Sequence, residues 1–135
     1  MTFRVRFAET DQMGVAHHSA YVVWLEAARV EWMRDRGLSY RELEASGVSM
    51  AVSGLELSYR RAARFDDVLR VDCRLVSLRS RYGRYVYRLL NEQGELVASG
   101  ATDHVPTDRR GRAVRLPSPW LDALGAHVEP EAAGA

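Results

Sequence analysis

The sequence has one cysteine, no lysine and no long apolar run. Cys73 alone cannot close a disulfide within the chain, and it cannot supply a zinc or iron site built on several thiolates. Without lysine there is no Schiff-base chemistry and no lysine general base. All 19 basic side chains are Arg, the better bidentate partner for phosphate. The apolar runs fall far short of the ~20 residues that span a bilayer. Arg4, Arg6 and Glu9 interrupt what would be the core of a signal peptide. A cytoplasmic protein with no membrane partner is expected.

What is present is ordinary globular material. The 135 residues, 47% hydrophobic and 27% charged, make about one domain. That domain is read as residues 1–125, with a small, polar tail at 126–135 that is expected to fray. The net charge of +1 is unevenly spread. Residues 60–88 carry nine Arg against Asp66, Asp67 and Asp72. A basic middle in a near-neutral chain suits a local anionic ligand better than a polyelectrolyte such as nucleic acid.

Phe3, Val5 and Phe7 alternate with Arg4 and Arg6, which predicts a strand over 3–8. An aperiodic loop follows, from Glu9 to about Ser19. A helix is then expected from Ser19 or Ala20 to Arg36, stopped by Gly37. Its first half, Tyr21-Val22-Val23-Trp24-Leu25, is apolar nearly all round, which predicts burial on more than one side by a curved sheet. Ser39-Tyr40-Arg41-Glu42 fits a capping box before a short helix ending at Gly47. Strands are read around Leu55–Tyr59, Arg70–Leu75, Arg84–Leu90 and Leu96–Val105. Asn91-Glu92-Gln93-Gly94 forms one hairpin turn and Asp108–Gly111 another. Ser118-Pro119-Trp120-Leu121 opens a last short helix. Short connections favour antiparallel pairing, giving an α+β domain with one sheet and one central helix. The sheet's other face is expected to be covered by a second copy of the chain.

The loop before the helix is the place for chemistry. Asp11 precedes His18, at the helix start, by seven residues. A helix N-terminus offers unpaired N–H groups that can hold a developing oxyanion. A nearby carboxylate can attack a carbonyl held there or activate water against it. The competing reading is that Asp11 caps a turn that Gly14 permits. Tyr21 reads equally as a core aromatic or as a group that positions substrate. Ser19 has no recognisable His–Asp partner. The adjacent His17 and His18 are expected to diverge, so a metal shared between them, with Asp11 or His104 as further ligand, is disfavoured. Cys73 reads as an inert core thiol. Arg60, Arg61 and Arg64, grouped with Arg79, Arg81 and Arg84, read as a phosphate site or as a guarded sheet edge.

Glu9-Thr10-Asp11-x-x-Gly14-Val15-x-x-His18-x-x-Tyr21, then Trp24-Leu25-Glu26-x-Ala28-Arg29, resembles the hotdog-fold acyl-CoA thioesterases of the 4-hydroxybenzoyl-CoA thioesterase and YbgC-like branch. The resemblance runs on through Tyr59–Asp67 to Leu116-Pro117. It implies a five-stranded antiparallel sheet wrapped around one long helix, and a homodimer or homotetramer with the active site between subunits. It implies hydrolysis of an acyl-CoA to a carboxylic acid and free CoA, with no metal and no cofactor. Asp11 matches the catalytic carboxylate, and His18 matches the residue whose backbone N–H polarises the thioester carbonyl. Gly14, His17, Tyr21, Arg61 and Arg64 are the expected substrate contacts. His17 stands where relatives often have Tyr, and Ala62 where they commonly have Pro. The alternatives are an acyl-carrier-protein thioesterase, or a non-catalytic binder that uses Ser80–Tyr85 as a nucleic-acid groove.

Overall fold

The computed structural model describes residues 1–131. Strand β1 (Thr2–Arg4) leads through a single 3-10 turn to helix α1 (His18–Asp35) and short helix α2 (Tyr40–Ala45). Strands β2 (Ser49–Tyr59), β3 (Val68–Arg79), β4 (Tyr82–Asn91) and β5 (Leu96–Thr107) follow, then helix α3 (Ser118–Gly125). The five strands form one antiparallel sheet in the order β1-β3-β4-β5-β2. This is the expected α+β architecture, a sheet wrapped on one long helix.

Local chemistry sets the ends of the elements. Gly37, at φ 74°, takes the left-handed conformation that stops α1, and its N–H closes on Arg34 O. Ser39 Oγ accepts the Glu42 N–H at the start of α2. Asn91 Oδ1 accepts the N–H groups of Gln93 and Glu95, fixing the β4–β5 turn.

The first strand is shorter than its alternation suggests. It ends at Arg4 because the Glu9 carboxylate accepts the Arg6 N–H at 2.7 Å and pulls Phe7–Glu9 into the 3-10 turn. β2 starts six residues before the apolar alternation becomes visible. Its register shifts between Val52 and Gly54, and that irregularity breaks the period.

Two burial expectations are corrected. Tyr21, Trp24, Leu25, Ala28, Trp32 and Met33 of α1 are buried against the sheet, but Val22 and Val23 are exposed. The sheet covers one face of the helix and not its whole circumference. The outer face of the sheet is not apolar either. Arg70, Asp72, Arg74, Arg88, Glu56 and Ser58 are exposed there, alongside the Arg84–Asp103 ion pair at 2.9 Å. Apolar surface is instead left along edge strand β2, at Val52, Leu55 and Tyr59.

Residues 132–135 of the expected tail lie outside the described residues. Before them, Val128 packs against the core and the Glu129 N–H donates to Leu75 O at 2.8 Å. Cys73 packs against the core as expected, and burial pushes its thiol up to about 12. Among the described residues, no helix is long and apolar enough to cross a membrane.

Candidate active site

The loop into α1 is a small hairpin. The Asp11 N–H donates to Val15 O, the Gly14 N–H donates to Asp11 O, and Thr10 bridges Ala16. Gly14 sits at φ +77°, where a side chain would be strained. Asp11 Oδ1 accepts the Met13 N–H at 2.8 Å and, more weakly, the Val15 N–H at 3.4 Å. The turn-capping reading of Asp11 is therefore real. It occupies one oxygen only. Oδ2 makes no hydrogen bond among the described residues, and the side chain is exposed. The cap thus orients a carboxylate whose second oxygen stays available.

The far strand of this hairpin docks on the segment after β2. The Ala16 N–H donates to Ala63 O at 2.6 Å, and Val15 bridges Arg64. His17 is the N-cap of α1, and its Nδ1 accepts the Ser19 N–H at 3.2 Å. His18 is the first helical residue, and its N–H finds no acceptor among the described residues. This is the orphan donor that a helix start supplies.

A groove of about 400 Å³ opens here, lined by Val15, Ala16, His18, Tyr21, Tyr59 and the stretch Arg60–Ala63. His18, Tyr21 and Arg61 are thus brought together. Asp11 stands at the turn of the hairpin whose far strand forms one wall of the groove. His17 faces a different groove on the other side of the loop, with Glu9, Thr10 and Ser19. Arg61 holds Glu95 at 2.8 Å. The Arg64 backbone N–H donates to Asp67 Oδ2, and its exposed guanidinium has no ion pair among the described residues.

Tyr21 is a core aromatic, as one of its two readings has it. It is 3% exposed, packed edge-on to Tyr59 and beside Trp24, and it also lines the groove. Burial, then the neighbouring Tyr59, raises its hydroxyl above the usual range, so it is neutral at physiological pH.

The imidazoles of His17 and His18 do not diverge as expected. Their ring centroids lie 4.0 Å apart, because the cap turns His17 back over the first helical turn. Ser19 Oγ meets His17 Nδ1 at 2.8 Å, but among the described residues no carboxylate bonds the other imidazole nitrogen. His104 is far from both, buried in the sheet. Among the described residues, no three His, Cys, Asp or Glu side chains gather to hold a metal ion.

The six arginines expected to group together do not. Arg60, Arg61 and Arg64 follow β2, where the Arg60 N–H meets Val97 O. Arg79 and Arg81 lie at the β3–β4 hairpin, near the Gly83–His104 pair. Seven residues of β5 separate the two places, roughly 23 Å at the usual strand rise. Arg84 belongs to neither group, being committed to Asp103 on the outer face.

Glu9 carries more of the site than its sequence position suggests. Its side chain is 9% exposed and accepts Trp24 Nε1–H at 2.7 Å as well as the Arg6 N–H. Its backbone carbonyl accepts the His17 N–H at 2.8 Å. Burial alone would raise its carboxyl, but the bonds from Arg6 and Trp24 outweigh burial and hold it below the usual range. The one prior signal was that Glu9 begins the recognisable motif.

Comparison with known proteins identifies the fold and the family. A hypothetical protein, TT1821, of Thermus thermophilus superposes with a TM-score of 0.89 and 45% identity, over 94% of this chain and 97% of that one. The DHNA-CoA thioesterase of Staphylococcus aureus also superposes with a TM-score of 0.89, at 28% identity, over 93% of this chain and 87% of that one. The acyl-CoA thioester hydrolase YbgC of Escherichia coli O6:H1 is 32% identical over 94 residues, 70% of each chain. The model of the thioesterase-like superfamily matches residues 5–125, so both the motif and the fold place this chain in that superfamily of thioester hydrolases.

Proposed function

We propose that the protein hydrolyses acyl-CoA thioesters to a carboxylic acid and free CoA in the groove at the start of α1. The observation that carries this reading is the pairing, on one short loop, of a backbone N–H at His18 and a carboxylate oxygen at Asp11 that have no bonding partner among the described residues. The N–H, at the positive end of α1, stabilises the charge that develops on the thioester oxygen. Asp11 either attacks the carbonyl carbon, expelling CoA thiolate and leaving a mixed anhydride that water cleaves, or takes a proton from the water that attacks. Tyr21 and Tyr59 form the apolar wall for the acyl group. Arg61 and Arg64 face the nucleotide phosphates of CoA, which suit Arg forks.

In this reading the working unit is a pair of chains. β2 is an eleven-residue edge strand with an unpaired side, and Val22, Val23, Val52, Leu55 and Tyr59 leave apolar surface beside a polar outer sheet face. A second copy joining at this edge covers it, with about 2,000 Å² or more buried as in other obligate interfaces. Light scattering that finds a monomer at micromolar concentration would remove the pair.

The activity is tested by following thiol release across short, long, branched and aromatic acyl-CoAs. Asp11-dependent turnover supports the reading. Salt-sensitive RNA retention without turnover would replace it with a binding function.

A further inference from the structure

Beneath the second half of α1 lies a cavity of about 90 Å³, separate from the groove. Val30 and Met33 of α1, Leu43 of α2, Met50 of β2 and Leu124 of α3 give it apolar walls. Two donors line it. Tyr85 is 6% exposed, and its hydroxyl makes no hydrogen bond among the described residues. Arg29 is half-buried, donates one hydrogen bond, to Tyr87 Oη at 3.1 Å, and pairs with no carboxylate among the described residues. Glu26, which also lines the cavity one turn back, is exposed and forms no ion pair with Arg29.

The groups behind these donors are already satisfied. Tyr87 Oη meets Thr102 Oγ1 at 2.6 Å, Thr102 Oγ1 meets His104 Nε2 at 2.8 Å, and His104 Nδ1 faces Met50 O at 3.4 Å. That chain fixes Arg29 through Tyr87 and leaves Tyr85 and the remaining Arg29 N–H groups without acceptors. The spare donors of this guanidinium and this phenol are available to an acceptor that enters the cavity.

We propose that this cavity binds a small monocarboxylate, its oxygens held by Arg29 and Tyr85 and its short apolar body packed against Met33, Leu43 and Met50. The guanidinium fork fits two carboxylate oxygens. The space is smaller than the ~150 Å³ that admits benzene, so the body is limited to on the order of three to five carbons. The ligand is either a free short acid or the far, carboxylate-bearing end of an acyl substrate.

The test uses the whole protein with butyrate, butyramide and butylamine as probes, read by titration calorimetry and thermal shift. Butyrate should bind, and the two uncharged or cationic analogues should not. Arg29→Gln should weaken butyrate at least ~10-fold, the loss expected when a charge-assisted bond goes. Tyr85→Phe should weaken it about 5-fold while leaving the melting temperature unchanged or higher, because the lost hydroxyl has no partner in the protein. A second arm rests on the proposed hydrolysis and compares succinyl-CoA with butyryl-CoA. An Arg29-dependent preference for succinyl-CoA, without binding of free butyrate, assigns the cavity to the end of the substrate. Neither butyrate binding nor that preference, or butyrate binding that survives both substitutions, overturns the proposal.

Discussion

The two ends of α1 hold polar groups in opposite ways. At its start, Asp11 and the His18 N–H come from one loop, stand open to solvent and are fixed by hydrogen bonds within a few residues of each other. Beneath its second half, Arg29, Tyr85, Tyr87, Thr102 and His104 come from three elements far apart in sequence and meet in the core. The first arrangement suits a large ligand that arrives and leaves through water. The second suits a small ligand, or a fixed structural network, shielded from water. Burial also acts differently on the two. It moves His104 down to about 4 and raises Tyr85, so both are neutral near pH 7 and Arg29 is the cation of the buried set.

Substitutions at the two ends should therefore fail differently. The largest effect belongs to the open end. Asp11→Asn should lower kcat at least ~10²-fold, the low end for loss of a general base, with folding little changed because the residue is exposed.

The buried end should instead show in stability against pH. Burial, then the Arg29 cation, depresses His104 from 6.5 to about 4. The unfolded chain then takes up a proton that the folded one refuses. Stability is full above pH 6.5 and falls as pH drops toward 4, by on the order of 3 kcal/mol. Thermal melts across that window should show the step, and His104→Gln should flatten it.

Glu9→Gln should cost about 2 kcal/mol, measured by denaturant unfolding, because it weakens charge-assisted bonds at a nearly buried carboxylate. The smallest change belongs to Arg61→Ala and Arg64→Ala. Each should raise KM a few-fold with kcat nearly unchanged, as loss of uniform binding does. A truncated thioester without the nucleotide should not respond to either change.

The same contrast explains what the sequence makes legible. The ends of α1, the Ser39 cap and the Asn91–Gly94 turn are decided by residues within four positions of one another, so pattern suffices to find them. The motif from Glu9 to Tyr21 is legible for the same reason. What failed depended on contacts made across the chain or on turns of a few residues that the pattern does not show. The Glu9 carboxylate ends β1 early. The strand order sends the arginines of residues 60–64 and 79–81 to opposite ends of the sheet. The cap turns His17 onto His18. Alternation says which residues share a face and not which face meets α1, so the polar character of the outer sheet face is not legible in the sequence. The Arg29–Tyr87–Thr102–His104 network has no local signal, since its bonded partners Arg29 and Tyr87 lie 58 positions apart.

The central claim is that the open end works through a carboxylate side chain and a backbone N–H. The most direct test is to measure kcat for Asp11→Asn and His18→Ala side by side on one acyl-CoA. The account predicts a collapse for Asp11→Asn and a much milder loss for His18→Ala, which keeps the backbone donor, worth ~3 kcal/mol in comparable sites. Equal collapse of both would assign the work to the His18 imidazole and contradict it, as would an active Asp11→Asn protein.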